Sequence, residues 1–282
     1  MIIRAFVCLC FAWLFSSAAV SQAAGDPERV AAYQLFHQGK TRHAATKLKE
    51  IAASLNIRDR VVLQRDILEV CAEGYDWPCV HDTIQQMLAG IRSEPKLSII
   101  YPDIILYEAK RAQWFEDDAY FARFVETGGP SQVATPIPHA ALHSEIALVV
   151  HRYLLEQGRT RSAEELRSSA ILGLLLAEPQ NTYAISKALV ALIESLVDAQ
   201  DIVGAYALAS EVDSFLVRSI AQTGPLYARY RLLLGQLLAF TNAHGLTVAT
   251  LADAARLYEQ IEIDESVKLH ERRSPIAWHP LL

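Results

Sequence analysis

The sequence predicts an all-α fold, a right-handed α-solenoid of about six stacked antiparallel helical hairpins. Three observations point to it. Glycine (12) and proline (11) are few among 282 residues, and Ala, Leu, Glu and Arg, all good helix formers, are abundant. Apolar residues recur at i, i+4 and i+7 on both sides of short polar breaks. The breaks return about every 36 to 45 residues, the signature of stacked structural units.

The elements follow in order. Val30, Tyr33, Leu35 and Phe36 keep helical spacing up to Gly39-Lys40-Thr41-Arg42, and Ala44, Leu48 and Ile51 resume it. Ile67, Leu68 and Cys71 precede a turn at Tyr75-Asp76-Trp77, and Val80, Ile84 and Met87 follow it. A third pair spans Leu97–Trp114 and Asp117–Glu126. A fourth spans His139–Gln157 and Ser162–Leu176, turning at Gly158-Arg159-Thr160. A fifth turns at Gln200-Asp201 ahead of Ala205, Ala209 and Val212. A sixth spans Leu226–Thr241 and Val248–Ile261. One helical hairpin cannot bury both of its apolar faces, whereas a stack shares one continuous core, with small residues such as Ala44, Ala163 and Ala205 where helices approach closely. An irregular helical bundle is the alternative to the stack. Ala170 to Ala177 is apolar but only eight residues long, which fits a buried helix rather than a membrane span.

The ends and the middle read differently. Arg4, the apolar run from Ala5, and Ser21-Gln22-Ala23 form the charged, apolar and small-x-small regions of a signal peptide, so residues 1–23 are expected to be removed. An uncleaved anchor is the alternative; the apolar run is short for a span of ~20 residues. Residues 24–127 carry the N-terminal hairpins, 128–138 a loop, 139–270 the C-terminal hairpins and 271–282 a tail. The loop holds Gly128, Gly129, Pro130, Pro136 and Pro138, which no continuous helix accommodates. No Asn begins an Asn-x-Ser/Thr sequon, and together with the signal peptide this favours the bacterial periplasm over eukaryotic secretion.

Spacings in three of the pairs resemble those of tetratricopeptide repeats: Ala32, Gly39, Ala44 and Leu48 in the first, Leu68, Asp76, Trp77, Val80 and Ile84 in the second, and Ile193, Asp201, Ala205 and Ala209 in the fifth. After the second pair the intervals exceed that family's ~34-residue unit. The resemblance implies a wall built from the first helix of each hairpin, and in that register Arg29, Tyr33, Arg65, Lys110, Trp114 and Arg152 would face a partner. Aromatic and Arg side chains are the types that anchor protein partners.

Chemistry-bearing motifs are absent. Gly39-Lys40-Thr41 lacks the upstream glycine of a phosphate-binding loop, since position 34 is Gln. His139 and His143 are spaced to share a metal, but His151 is ~12 Å further along a helix, and no HExxH or Gly-x-Ser-x-Gly is present. The formal charge of −6 gives no general attraction to nucleic acid or anionic membrane. Outside the signal peptide the two cysteines are Cys71 and Cys79, which flank the turn at Tyr75. An oxidising compartment favours a disulfide between them; two buried thiols are the alternative. The expectation is therefore a non-catalytic scaffold or regulator of the cell envelope, periplasmic or secreted. It would bind a protein or peptide and use no cofactor, no metal, no nucleic acid and no stable membrane span after cleavage. The second reading is an envelope enzyme or carbohydrate-binding protein with a pocket near the 128–138 loop, lined by Trp114, Tyr120, His139 and His143.

Overall fold

The computed structural model describes residues 26–126, 140–177, 181–241 and 243–261. The expected signal peptide, the 128–138 loop and the 271–282 tail lie outside them. The described residues form twelve α-helices and one 3-10 turn, with no strand. In order they are α1 (Pro27–His37), α2 (Thr41–Ser54), α3 (Ile57–Glu73), α4 (Trp77–Ser93), a 3-10 turn (Pro95–Ile100), α5 (Tyr101–Trp114), α6 (Asp118–Glu126), α7 (Ala140–Glu156), α8 (Thr160–Leu175), α9 (Thr182–Asp198), α10 (Ile202–Ser219), α11 (Pro225–Ala239) and α12 (His244–Gln260). The helix expected over Leu97–Trp114 starts later, at Tyr101, because Pro102 supplies no N–H and begins a new helix at its first turn.

Five helix-to-helix turns share one geometry. Gly39, Tyr75, Glu116, Gly158 and Gln200 each have φ between 54° and 79°. In each turn the N–H of that residue donates to the carbonyl three residues back, as Gln200 does to Val197 at 2.9 Å. The next N–H reaches five residues back, as Asp76 does to Cys71 at 2.8 Å and Asp201 to Leu196 at 2.9 Å. This left-handed closure satisfies carbonyls that the helix end would otherwise orphan. The residue after it, Lys40, Asp76, Asp117, Arg159 or Asp201, opens the next helix. Four positions later stands a buried side chain: Ala44, Val80, Phe121, Ala163 or Ala205. Asp76, Asp117 and Asp201 add side-chain caps to the N–H groups of Cys79, Tyr120 and Gly204.

Two compact units are present. The first holds residues 26–98 with 223–225 and 257–261; the second holds 99–222 and 226–256. The division falls between Ser98 and Ile99. Helices α5, α6 and α7, on either side of the 128–138 segment, pack together in the second unit.

In the first unit, α1, α2, α3 and α4 pack each on the next. Leu48, Leu68, Val80, Ile84 and Met87 are fully buried there. Arg58 at the start of α3 meets Glu94 beyond the end of α4 at 2.6 Å, as an antiparallel pair requires. The Arg60 guanidinium donates to Ala52 O (3.2 Å) and Leu55 O (2.9 Å), closing the carboxyl end of α2. A disulfide joins Cys71 to Cys79 across the α3–α4 turn, with Cα atoms 5.9 Å apart. The Thr223 hydroxyl donates to His37 O at 2.5 Å, and the Ile261 side chain lies against Gly39.

In the second unit, α7 packs closely on α8 and also contacts α5, α6 and α9, while α9 packs on α10. The α7–α8 approach is tight. A Cβ on Gly173 would fall 2.5 Å from Ser144 Oγ, which itself lies 2.8 Å from Ala170 O and donates to it or to Ala140 O. Between α5, α6, α7 and α8 sits a core of Ala109, Ala112, Phe121, Val150, Leu154 and Ala163. The Ala170–Ala177 stretch is not the buried helix its composition suggested. Leu172, Leu175 and Leu176 are 56%, 45% and 50% exposed, because only one side of α8 faces α7. Among the described residues no helix is long and apolar enough to cross a membrane.

Candidate functional site: the first-helix faces

The six residues singled out from sequence all stand on the first helix of a helix-turn-helix pair, and all are partly exposed. Arg29 and Tyr33 are on α1, Arg65 on α3, Lys110 and Trp114 on α5, Arg152 on α7. In the first unit, Arg29 pairs with Asp66 of α3 at 2.5 Å and lies 5.9 Å from the centre of the Tyr33 ring. Burial, and then the Asp66 carboxylate, push the Tyr33 hydroxyl well above its ordinary value, so it stays protonated. Burial raises the Asp66 carboxyl too, against the pull of Tyr33 and Arg29. Arg29 and Tyr33 thus bind α1 to α3 as well as facing outward.

Charge links the first helices of the second unit more extensively. Glu145 of α7 is 3% exposed. Its carboxylate receives Lys110 of α5 at 3.0 Å and has Lys187 of α9 at 3.6 Å. Burial works against ionisation of Glu145, but the two ammonium groups outweigh it and hold the carboxyl below its usual range. Each lysine also lies over a ring of its own helix, Lys110 5.5 Å from the Tyr107 centroid and Lys187 5.6 Å from that of Tyr183. Arg152 meets Glu156 at 3.2 Å and Asp198 of α9 at 3.9 Å. Arg229 of α11 donates through two nitrogens to the Glu194 carboxylate of α9, the fork geometry that suits a carboxylate. Burial pushes the Asp198 carboxyl up to about 6, with Glu194 and Glu156 adding to the rise and Arg152 opposing it.

Sequence reasoning therefore placed Lys110 and Arg152 on the first-helix faces without finding what they hold. It missed Glu145, Lys187, Glu194, Asp198 and Arg229. A signal existed for two of them. Glu145 directly precedes the apolar run from Ile146 to Val150, and Lys187 stands within the apolar stretch from Ala184 to Ile193; a lone charge on a buried helix needs a partner.

Cys71 and Cys79 are tied to each other. Thr41, Arg42, Ala45, Val70, Cys71, Gly74 and Asp76 line a shallow recess beside the α3–α4 turn. Gly39-Lys40-Thr41 forms the α1–α2 turn. Among the described residues no three His, Cys, Asp or Glu side chains are grouped to hold a metal ion. His139 and the 128–138 loop of the second reading lie outside the described residues; of its other lining residues, Tyr120 stacks on Phe124, and its hydroxyl is pushed up to about 12, mainly by burial. No family model, no curated protein and no solved structure matches the chain.

Proposed function

We propose that the chain is a non-catalytic protein-interaction scaffold or regulator of the bacterial cell envelope, built as a tetratricopeptide-like, right-handed stack of six hairpins. It binds a protein or peptide segment along the first-helix faces. The observation that carries this reading is the five-fold recurrence of one turn geometry at positions 39, 75, 116, 158 and 200, about one helical-hairpin unit apart. Within each unit, recurrence of this kind sets equivalent helices side by side with their outward faces on the same side. The first-helix faces carry Tyr33 and Arg65 in the first unit and Trp114 in the second, residue types suited to anchoring a partner. The Cys71–Cys79 disulfide supports a periplasmic or secreted location, since such bonds persist in oxidising compartments.

Site-specific photo-crosslinking tests the reading. A photoreactive residue replaces Arg65 or Trp114 on first helices, or the exposed Glu50 or Glu165 on second helices. Crosslinking in intact envelopes is expected to give one discrete adduct from the first-helix positions and none from the others. Arg65→Glu combined with Trp114→Ala should remove an adduct formed from Tyr33. Adducts from the second-helix positions alone, or an adduct insensitive to the double substitution, would overturn the assignment.

A further inference from the structure

His151 is a fully enclosed titratable group of the second unit. It stands on α7 with 0% exposure, and neither ring nitrogen meets a hydrogen-bond partner among the described residues. A buried polar atom left unpaired costs about 1–3 kcal/mol, and a buried unpaired charge costs far more. The charged groups acting on it are Arg167 and Glu164, both on α8 and joined to each other at 2.5 Å. The neighbouring elements direct their charges elsewhere: Lys110 of α5 and Lys187 of α9 go to Glu145, and Asp198 of α9 goes to Arg152. From α6, Phe121 stacks on Tyr153. Among the described residues, an imidazolium at position 151 would thus lack a carboxylate of its own and would face a guanidinium.

We propose that His151 is an acid-sensitive latch between α7 and α8: the uncharged imidazole completes the packed interface, and its protonation releases α8 from α7. Burial, and next Arg167, lower the basicity of the ring, with Glu164 opposing. The folded form therefore binds this proton less readily than the unfolded chain, whose histidine titrates near 6.5. Stability from this group is full above ~6.5 and is lost as pH falls toward the folded value. Asp198 acts in the opposite sense. Its carboxyl titrates at about 6 in the fold, above the ordinary aspartate value, so acidification favours the folded state there. A loosening on acidification must come from another group.

Amide hydrogen exchange of the purified protein, corrected for intrinsic rates and compared at pH 7.5 and 5.0, tests the latch. Protection of α7 and α8 in the wild type should fall by up to about 30-fold, the tenfold-per-unit limit applied from 6.5 to 5.0. His151→Phe should hold its protection within about twofold over the same range. Equal acid responses in the two proteins, or unchanged protection in the wild type, would overturn the proposal. Should the phenylalanine variant not fold, the His151 ring resonance of the wild type decides by NMR. A midpoint well below 6.5 supports the latch, and a midpoint at or above it refutes it.

Discussion

The two compact units hold their helices in register by different means. In the first, much of the fastening is local in sequence: the Cys71–Cys79 bond closes one turn, Asn56 and Asp76 cap α3 and α4, and Arg60 closes the end of α2. The Arg29–Asp66 ion pair ties α1 to α3. The second unit has helix caps too, at Asp117, Asn181 and Asp201, and adds charge ties that are distant in sequence. Glu145 joins three helices, and Arg152–Asp198 and Glu194–Arg229 join α7 to α9 and α9 to α11. A short covalent ring acts chiefly by restricting the unfolded chain. A buried ionic tie acts in the folded state, where it compels both partners to be present and correctly placed.

The largest expected effect is at Glu145. Glu145→Ala leaves Lys110 and Lys187 without their shared carboxylate in a poorly hydrated place and should cost about 3–5 kcal/mol. Urea unfolding measures this. A loss below about 1 kcal/mol would mean that the lysines reach water, and the contrast between the units would fail. Next is the disulfide. Cys71→Ser with Cys79→Ser should lower stability by about 2.5 kcal/mol, the loop-entropy value for so short a ring. Hydrogen exchange should place the loss in α3 and α4; a loss centred on α7–α9 would break the division. The smallest effect is at the shared turns. Glu116 and Gln200 hold φ of 54° and 61°, which costs a non-glycine residue about 1–2 kcal/mol. Glu116→Gly and Gln200→Gly should each raise stability by up to about 1 kcal/mol, glycine's greater unfolded-state freedom offsetting part of the relief. Gly158→Ala should lower it by about the same. Thermal unfolding reads all three, and a gain from Gly158→Ala would show that the turns are not equivalent.

Much of the fold was legible because its signals are local. The turn at Gly39 is announced by glycine, the one at Gly158 likewise, and the Asp residues at 76 and 201 mark helix starts through their own side-chain geometry. Tyr75, Glu116 and Gln200 carry no such mark; they take the left-handed conformation because the two helices they join are already held by packing at Val80, Phe121 and Ala205. Trp77 read as a turn residue and proves to be the first residue of α4, since Asp76 caps the helix one position earlier.

The candidate site was half legible. The register implied by the tetratricopeptide resemblance put Arg29, Tyr33, Arg65, Lys110, Trp114 and Arg152 on first helices, where each is partly exposed. It could not pair them, since Lys110 and Glu145 are 35 residues apart and nothing local relates them. The sequence by itself determined helix content, the position of the turns and which helix each candidate occupies, because hydrogen bonding within a helix and turn chemistry act over four or five residues. Tertiary structure decided which charges are partnered, which are buried and that His151 is enclosed, because Coulomb interaction and desolvation depend on distance in space and on access of water.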